Sequence, residues 1–299
     1  MKITQLQLLK ILLNNGLNIS EAAKQTFVVQ SAVSRQLSLL EEELGMPLFV
    51  RKGKRLDAPT PLCLDLVDEI DNMELALENI RAVADDHRDA RVGELRLATT
   101  HTQAKYFLPV VINEFREKYP KVKIHFFQGN PAQLVEMLHK READIAVCTE
   151  ELQEHSDLVT HKCYDWNHAL VVPTDHPLSK GKLTLERIAE HPLLTYVFGF
   201  TGRTKIQDAF EARELKPNVT FAATDTDVIK SYVKLGFGAG IIAKMAFEDN
   251  ANDGLVLRDM GEFFPSSTTT AAYVKSKFMK SYLQEFIDLL VKHGNKNMN

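Results

Sequence analysis

Asn18-Ile19-Ser20-Glu21-Ala22-Ala23-Lys24, followed by Ser31-Ala32-Val33-Ser34-Arg35-Gln36-Leu37-Ser38-Leu39-Leu40-Glu41-Glu42-Glu43-Leu44-Gly45, decides how this chain is read. The two runs form short helices joined by a tight turn. In the second, spanning about Gln30 to Leu44, Val33, Leu37, Leu40 and Leu44 recur at helical spacing and make a buried stripe. Gln30, Ser31, Ser34, Arg35 and Ser38 fall off that stripe. Hydroxyl, amide and guanidinium groups of this kind bond base edges or phosphates. The pattern is that of a helix entering the major groove of DNA.

The neighbouring residues extend the same reading. Leu6, Leu9, Ile11, Leu12 and Leu13 give a preceding helix one apolar face, and Asn14-Asn15-Gly16 ends it. Asn18 or Ser20 is placed to cap the next helix. Ala22 and Ala23 let two helices approach closely, and Phe27 and Val28 are expected to pack in the turn. After Gly45, Met46 to Val50 reads as extended. Arg51-Lys52-Gly53-Lys54-Arg55 then sets four cations around a glycine. An isolated run of this kind is ordinarily a solvated loop. Directly behind a helix-turn-helix it reads as a hairpin wing over the phosphate backbone.

At 299 residues the chain exceeds one ordinary domain. Residues 1–60 hold eight Lys and Arg against five Asp and Glu, a net +3 in a chain of net −4, so the remainder stands at −7. A basic end on an acidic body confines phosphate attraction to one place. No stretch is apolar for the length of a membrane span, and the N-terminal leucines are interrupted by Gln7 and Lys10, unlike a signal peptide. Cys63, Cys148 and Cys163 are an odd set without metal-ligand spacing. Reduced thiols, no metal, no cofactor and a cytoplasmic location are therefore expected.

Thr60 to about Asp89 reads as one long acidic helix. Its Leu66, Ile70, Met73, Leu77, Ile80 and Ala84 follow the period of a coiled-coil seam. Such a narrow stripe needs a partner, either the helix's own chain or a second subunit. From Gly93 strands and helices alternate, which predicts parallel sheets covered on both faces. Ligands in such sheets lie at the carboxyl ends of strands. Here those ends carry Thr99-Thr100-His101-Thr102-Gln103, Thr149, Phe200-Thr201-Gly202-Arg203-Thr204 and Thr224-Asp225-Thr226. Hydroxyls, amides and backbone N–H groups suit an oxyanion or small carboxylate. Any single threonine is more readily a cap or turn residue, but the block Thr99 to Gln103 reads as a site. A catalytic reading of His101, Asp225 and Cys148 finds no nucleophile elbow, P-loop or zinc spacing behind it. No enzyme is expected.

From Ser31-Ala32-Val33-Ser34-Arg35-Gln36-Leu37 through Leu40-Glu41, Leu44-Gly45, Pro47-Leu48-Phe49 and Arg51, the N-terminus resembles the LysR-type transcriptional regulators. Ser31 stands where that family often has proline, and Pro61-Leu62 where it often has Ala-Gly. Ala98 to Tyr106, Tyr164-Asp165-Trp166-Asn167, Phe198 to Arg203, Thr224 to Lys230 and Leu235 to Gly240 are similar to the CysB branch of that family, across nearly the whole chain. The resemblance implies a winged helix-turn-helix at 1–59 and a linker helix at 60–92. It implies an effector-binding domain at 93–299 made of two Rossmann-like subdomains resembling a periplasmic binding protein. The expected division is 93–162 with 267–299, and 163–266. Anion contacts are carried over to Thr100, Thr102, Gln103, Thr149 and Thr201, with Trp166 nearby. DNA contacts are expected from Gln30, Ser31, Ser34, Arg35, Ser38, Arg51, Lys52, Lys54 and Arg55. Members of that branch activate sulfate and sulfonate assimilation and cysteine synthesis genes. They answer to acetylserine, sulfate, thiosulfate or a sulfate-derived nucleotide. The resemblance further implies double-stranded promoter DNA and RNA polymerase as partners, with a dimer through the linker helix and commonly a tetramer. The alternative is a LysR-type regulator of another pathway with a different carboxylate effector.

Overall fold

A computed structural model of the chain describes residues 1–53, 55–149, 151–200, 202–247 and 254–296. It divides into two units, Met1–Ala84 and Asp85–Asn299.

The first unit opens with α1 (Ile3–Asn14), α2 (Ile19–Gln25) and α3 (Gln30–Leu44). Asn18 caps α2: its Oδ1 accepts from the N–H groups of Ser20 at 3.0 Å and Glu21 at 3.2 Å. Ser20 instead accepts a bond from Gln30 Nε2 at 2.7 Å, tying the starts of α2 and α3 together. Leu8, Leu9, Leu12, Ala22, Val33, Leu37 and Leu40 form one core with Leu48 and Phe49. The turn between α2 and α3 departs from expectation. Phe27 takes a positive φ of 55° and is 96% exposed, and Val28 is exposed beside it. The positive φ at Phe27 reverses the backbone there, and the side chain points outward instead of joining the core. Gly45, in the left-handed region at φ 70°, ends α3. The wing is an antiparallel pair, β1 (Phe49–Lys52) and β2 (Arg55–Pro59).

The long helix α4 (Pro61–Arg88) begins against this core. Cys63 and Ile70 are buried there, with Leu66 and Met73 partly so. Lys10 of α1 reaches across to Asp71 and Glu74. The N-terminal half of the apolar stripe therefore packs on its own chain. Farther along, Ile80 is 66% exposed.

The second unit runs in order β3 (Val92–Thr99), α5 (His101–Tyr106), α6 (Leu108–Lys118), β4 (Lys121–Gln128), α7 (Pro131–His139), β5 (Ile145–Cys148) and β6 (Leu158–Trp166). It continues through β7 (His168–Pro173), α8 (Leu185–Ala189), β8 (Leu193–Tyr196), α9 (Arg203–Glu211), β9 (Val219–Ala223), α10 (Thr226–Lys234), β10 (Ala239–Ala243) and β11 (Leu255–Asp259). β12 (Ser267–Val274) and α11 (Ser281–Lys296) follow. Two five-stranded sheets result, with orders β4-β3-β5-β12-β6 and β11-β7-β10-β8-β9. Each is the centre of one lobe.

The sheets are mixed rather than parallel throughout. β3 pairs parallel with β4 and β5, but β12 runs antiparallel to β5 and β6. The cause is topological. β6 leaves the first lobe through Asn167, and β12 re-enters it after β11, so these neighbours must run oppositely. β6 stays in the first sheet through Trp166, which puts the crossing four residues beyond the expected 162/163 boundary.

Alternation along β3 sends Leu95 and Leu97 to one face, against Phe107 at the cap of α6, Phe115 of α6 and Phe286 of α11. Ala98 faces Leu134, Val135 and Leu138 of α7. The second lobe repeats the plan, with Ile206 and Phe210 of α9 on one face and Ile229 and Val233 of α10 on the other. All three cysteines are buried, and none is in a disulfide. Burial pushes Cys63 up to about 11 and Cys163 up to about 12, so both stay protonated at neutral pH.

Candidate functional site

Strand ends of the first lobe carry the expected hydroxyls into its interior. Thr99 closes β3 and donates to the Val147 carbonyl at 2.8 Å. Thr100, 8% exposed, occupies the cap position of α5, yet its hydroxyl makes no bond to that helix. Thr102 is 2% exposed and lies 3.4 Å from the Thr226 hydroxyl of the second lobe. Thr149 follows β5 and is half-buried. Thr201 lies outside the described residues.

Gln103 is clamped from both ends. Its Nε2 donates to Thr269 Oγ1 at 3.0 Å, and its Oε1 accepts from the Tyr164 hydroxyl at 2.5 Å. An amide NH₂ has two hydrogens, so a fixed Gln103 keeps one more to offer. Burial pushes the Tyr164 phenol well up, so it acts as a donor. Ser267, Thr269 and Thr270 of β12 are also buried. The sequence reading did not single them out, although three threonines in a buried strand are a visible signal. A group of neutral donors with little charge is what an interior tolerates without the desolvation cost of a lysine.

Trp166 ends β6 at the crossing, 7% exposed, with its ring edge-on to His168 at 5.1 Å. Its indole N–H is buried without a partner among the described residues. Trp166 lines a cavity of about 600 Å³ with Tyr106, Tyr164 and Lys244. Gly202, at φ 68°, begins α9 in the second lobe. A Cβ there would stand 2.7 Å from His168 Cε1 and 3.3 Å from Ser267 Oγ. The start of α9 is thus pressed onto both crossing strands, and only glycine fits.

The lobes are clasped beside these hydroxyls by α5 and the start of α10. Asp227 accepts from Lys105 at 2.6 Å and from the Tyr106 hydroxyl at 2.6 Å, with Lys230 at 3.0 Å. His101 lies 2.9 Å from Asp225. Tyr196 bonds the Thr226 hydroxyl at 2.6 Å and accepts from the Ala243 N–H at 3.0 Å. His101, Asp225 and Asp227 could geometrically gather round a metal ion, but Lys105 and Lys230 already neutralise Asp227. Cys148 lies in the core of the first lobe with Ala98 and Leu138, away from any such group.

Burial alone would raise the Asp227 carboxyl. Bonds from Lys105, Tyr106 and Lys230 outweigh it and hold the group far below the usual aspartate range. A folded pKa below the unfolded one adds stability above about pH 4 that is lost on acidification. Urea unfolding of the chain should therefore weaken below about pH 4, and Asp227→Asn should reduce that acid-dependent loss. Equal pH slopes in both proteins would show that the clasp carries no charge linkage.

In the first unit, Gln30, Ser31, Arg35 and Ser38 are exposed along α3 and Ser34 is half-buried. Arg51 bonds Glu41 Oε2 at 2.7 Å, while Glu41 Oε1 accepts from the Leu48 N–H at 2.9 Å. One α3 carboxylate thus anchors the wing. Lys52 pairs with Asp57 at 2.9 Å, and Arg55 is exposed. Lys54 lies outside the described residues. The exposed Phe27 stands directly before α3.

Residues 3–63 match the family described as bacterial regulatory helix-turn-helix protein, lysR family. Residues 88–295 match the LysR substrate binding domain. The chain is similar to the HTH-type transcriptional regulator CysB of Haemophilus influenzae, 42% identical over 100% of this chain and 92% of that protein. It is similar to the HTH-type transcriptional regulator SsuR of Burkholderia cenocepacia, 41% identical over 99% of this chain and 96% of that one. The crystal structure of the cofactor-binding domain of the Cbl transcriptional regulator superposes with a TM-score of 0.65. It is 38% identical, over 69% of this chain and 93% of that one. No helix among the described residues is long and apolar enough to cross a membrane.

Proposed function

The chain belongs to the LysR family of DNA-binding transcriptional regulators, which are not enzymes, and from that premise we propose that it governs sulfur acquisition genes in response to a small anion. Its relatives CysB, SsuR and Cbl support the sulfur assignment. Sulfate and sulfonate assimilation and cysteine synthesis are the genes in question, mainly under activation. The effector is acetylserine, sulfate, thiosulfate or a sulfate-derived nucleotide.

One observation carries the effector reading: Thr100, Thr102 and Gln103, all neutral hydrogen-bonding side chains, are buried beside the lobe clasp. With Thr149 and Thr201 they would hold the oxyanion, and Trp166 would close the crossing side. Donors from both lobes give an occupied site higher affinity in one lobe arrangement, which is the requirement for a switch. In the same reading residues 1–59 read promoter DNA, and the exposed end of the linker at 60–92, whose helix α4 ends at Arg88, pairs with a second subunit, commonly within a tetramer. RNA polymerase is the downstream partner, and the cytoplasm is the compartment.

Calorimetric titration of the chain with sulfate, thiosulfate, O- and N-acetylserine, and adenosine 5′-phosphosulfate tests this assignment. Failure of all five to bind would reject it. For DNA, Gln30, Ser31, Ser34, Arg35 and Ser38 are assigned to the groove, and Arg51, Lys52, Lys54 and Arg55 to the backbone. Arg51→Ala should weaken binding to specific and unrelated duplexes alike. It should also lower the slope of log affinity against log salt by about 1. An unchanged slope would remove the wing contact.

A further inference from the structure

Three consecutive apolar side chains stand in water at the start of the DNA-reading helix. Phe27 is 96% exposed, Val28 46% and Val29 68%. They join α2 to α3 and run straight into the exposed Gln30 and Ser31. Single apolar residues on a surface are ordinary, but an exposed run of three is a cost that a partner must offset.

Val29 occupies the cap position of α3, with an extended backbone at φ −80° and ψ 152° and no capping bond from its side chain. A serine, threonine or asparagine there would satisfy an N–H group of the first turn. Other helices of the chain use that device: Asn18 caps α2 and Asn130 caps α7. At α3 the cap is forgone and a branched hydrocarbon stands in its place.

The position says what covers it. A reading helix meets base edges with its N-terminal residues. Helical side chains lean toward the N-terminus, so those of the first turn project past the end of the helix. Gln30 and Ser31, directly after Val29, line a cavity of about 810 Å³ with Ser20, Ser34 and Arg55. Those side chains suit phosphate and polar base edges. Val29 continues the same end of α3 but has neither donor nor acceptor. The apolar group that the major groove displays is the C5-methyl of thymine.

We propose that Val29 is a specificity-determining residue whose isopropyl group packs on the C5-methyl of a thymine in the operator. This rests on the DNA-reading role of α3 and adds an apolar contact to its polar ones.

The test uses the full chain and a duplex that it recovers from a random pool, prepared once with thymine and once with deoxyuridine throughout. The two differ only by the methyl groups. At one fixed salt concentration the native chain should bind the uracil duplex about fourfold or more weakly, and Val29→Ser should show a ratio below about twofold. Val29→Ser should also lose affinity for the thymine duplex, yet melt no lower than the native chain, because serine restores the cap. Val29→Thr, which keeps one methyl, should fall between. Equal affinities of the native chain for both duplexes would overturn the proposal. So would an equal uracil penalty in the native chain and both variants, since DNA shape would then be its source. A change of oligomeric size in Val29→Ser with no thymine preference would assign the patch to a second copy and overturn it too. Recovery of no duplex from the pool would reject the reading role of α3 itself.

Discussion

Replacing Thr100 and Thr102 together with valine is expected to weaken sulfate binding by about 100-fold or more, while effector-free promoter affinity stays within about twofold. Valine keeps the shape of threonine, so the core should not suffer. What is lost is one donor at each of two buried positions, 8% and 2% exposed. A hydrogen bond to a charged group contributes about 1.5–3 kcal/mol, and about 1.4 kcal/mol is a factor of ten. Two such losses reach the stated figure. The DNA-reading helix lies in the other unit, so its affinity serves as an internal control. Calorimetry for sulfate and a gel-shift titration for promoter DNA decide the matter. Normal sulfate affinity in the double variant would mean the pocket is misassigned.

Gly294→Ala is expected to destabilise the effector module by about 3 kcal/mol, against the trend for helices. Alanine in place of a mid-helix glycine ordinarily gains about 1 kcal/mol. Here a Cβ on Gly294 would lie 2.1 Å from the Cys163 carbonyl oxygen and 2.6 Å from its carbon. Both are backbone atoms of β6 and cannot swing aside. α11 would have to lift from the sheet, loosening Phe286, Ile287 and Leu290 in the main core of the first lobe. The expected fall in Tm is about 6–12 °C by calorimetry. A rise in Tm would show that α11 does not seat against β6.

Local chemistry made much of this molecule readable. The stripe Val33, Leu37 and Leu40 placed α3, and the cationic run around Gly53 announced a hairpin. Thr99 to Gln103 ended a strand where expected. Misreadings arose where tertiary geometry decides. Phe27 looked like a core residue because hydrophobicity does not say which way a strained turn points. The direction of β12 depends on a chain reversal in the other lobe, which no local pattern contains. Thr226, Thr269 and Tyr196 join the candidate site through partners many tens of residues away. The linker stripe signalled burial at Ile70, which packs on its own chain, but periodicity alone does not separate it from Ile80, which is exposed.

Two stretches of backbone, at Asn167 and at Pro265–Ser266, join the lobes side by side. A single tether would let one lobe swivel freely about it. A pair works like the two pins of a door, leaving one axis of rotation and resisting torsion. Whatever fills the space between the lobes therefore has a single mechanical degree of freedom to act on, and its effect is an angle rather than a change of shape. Lengthening one tether by a few residues would unpin the door and uncouple the two ends of the protein while leaving both lobes folded.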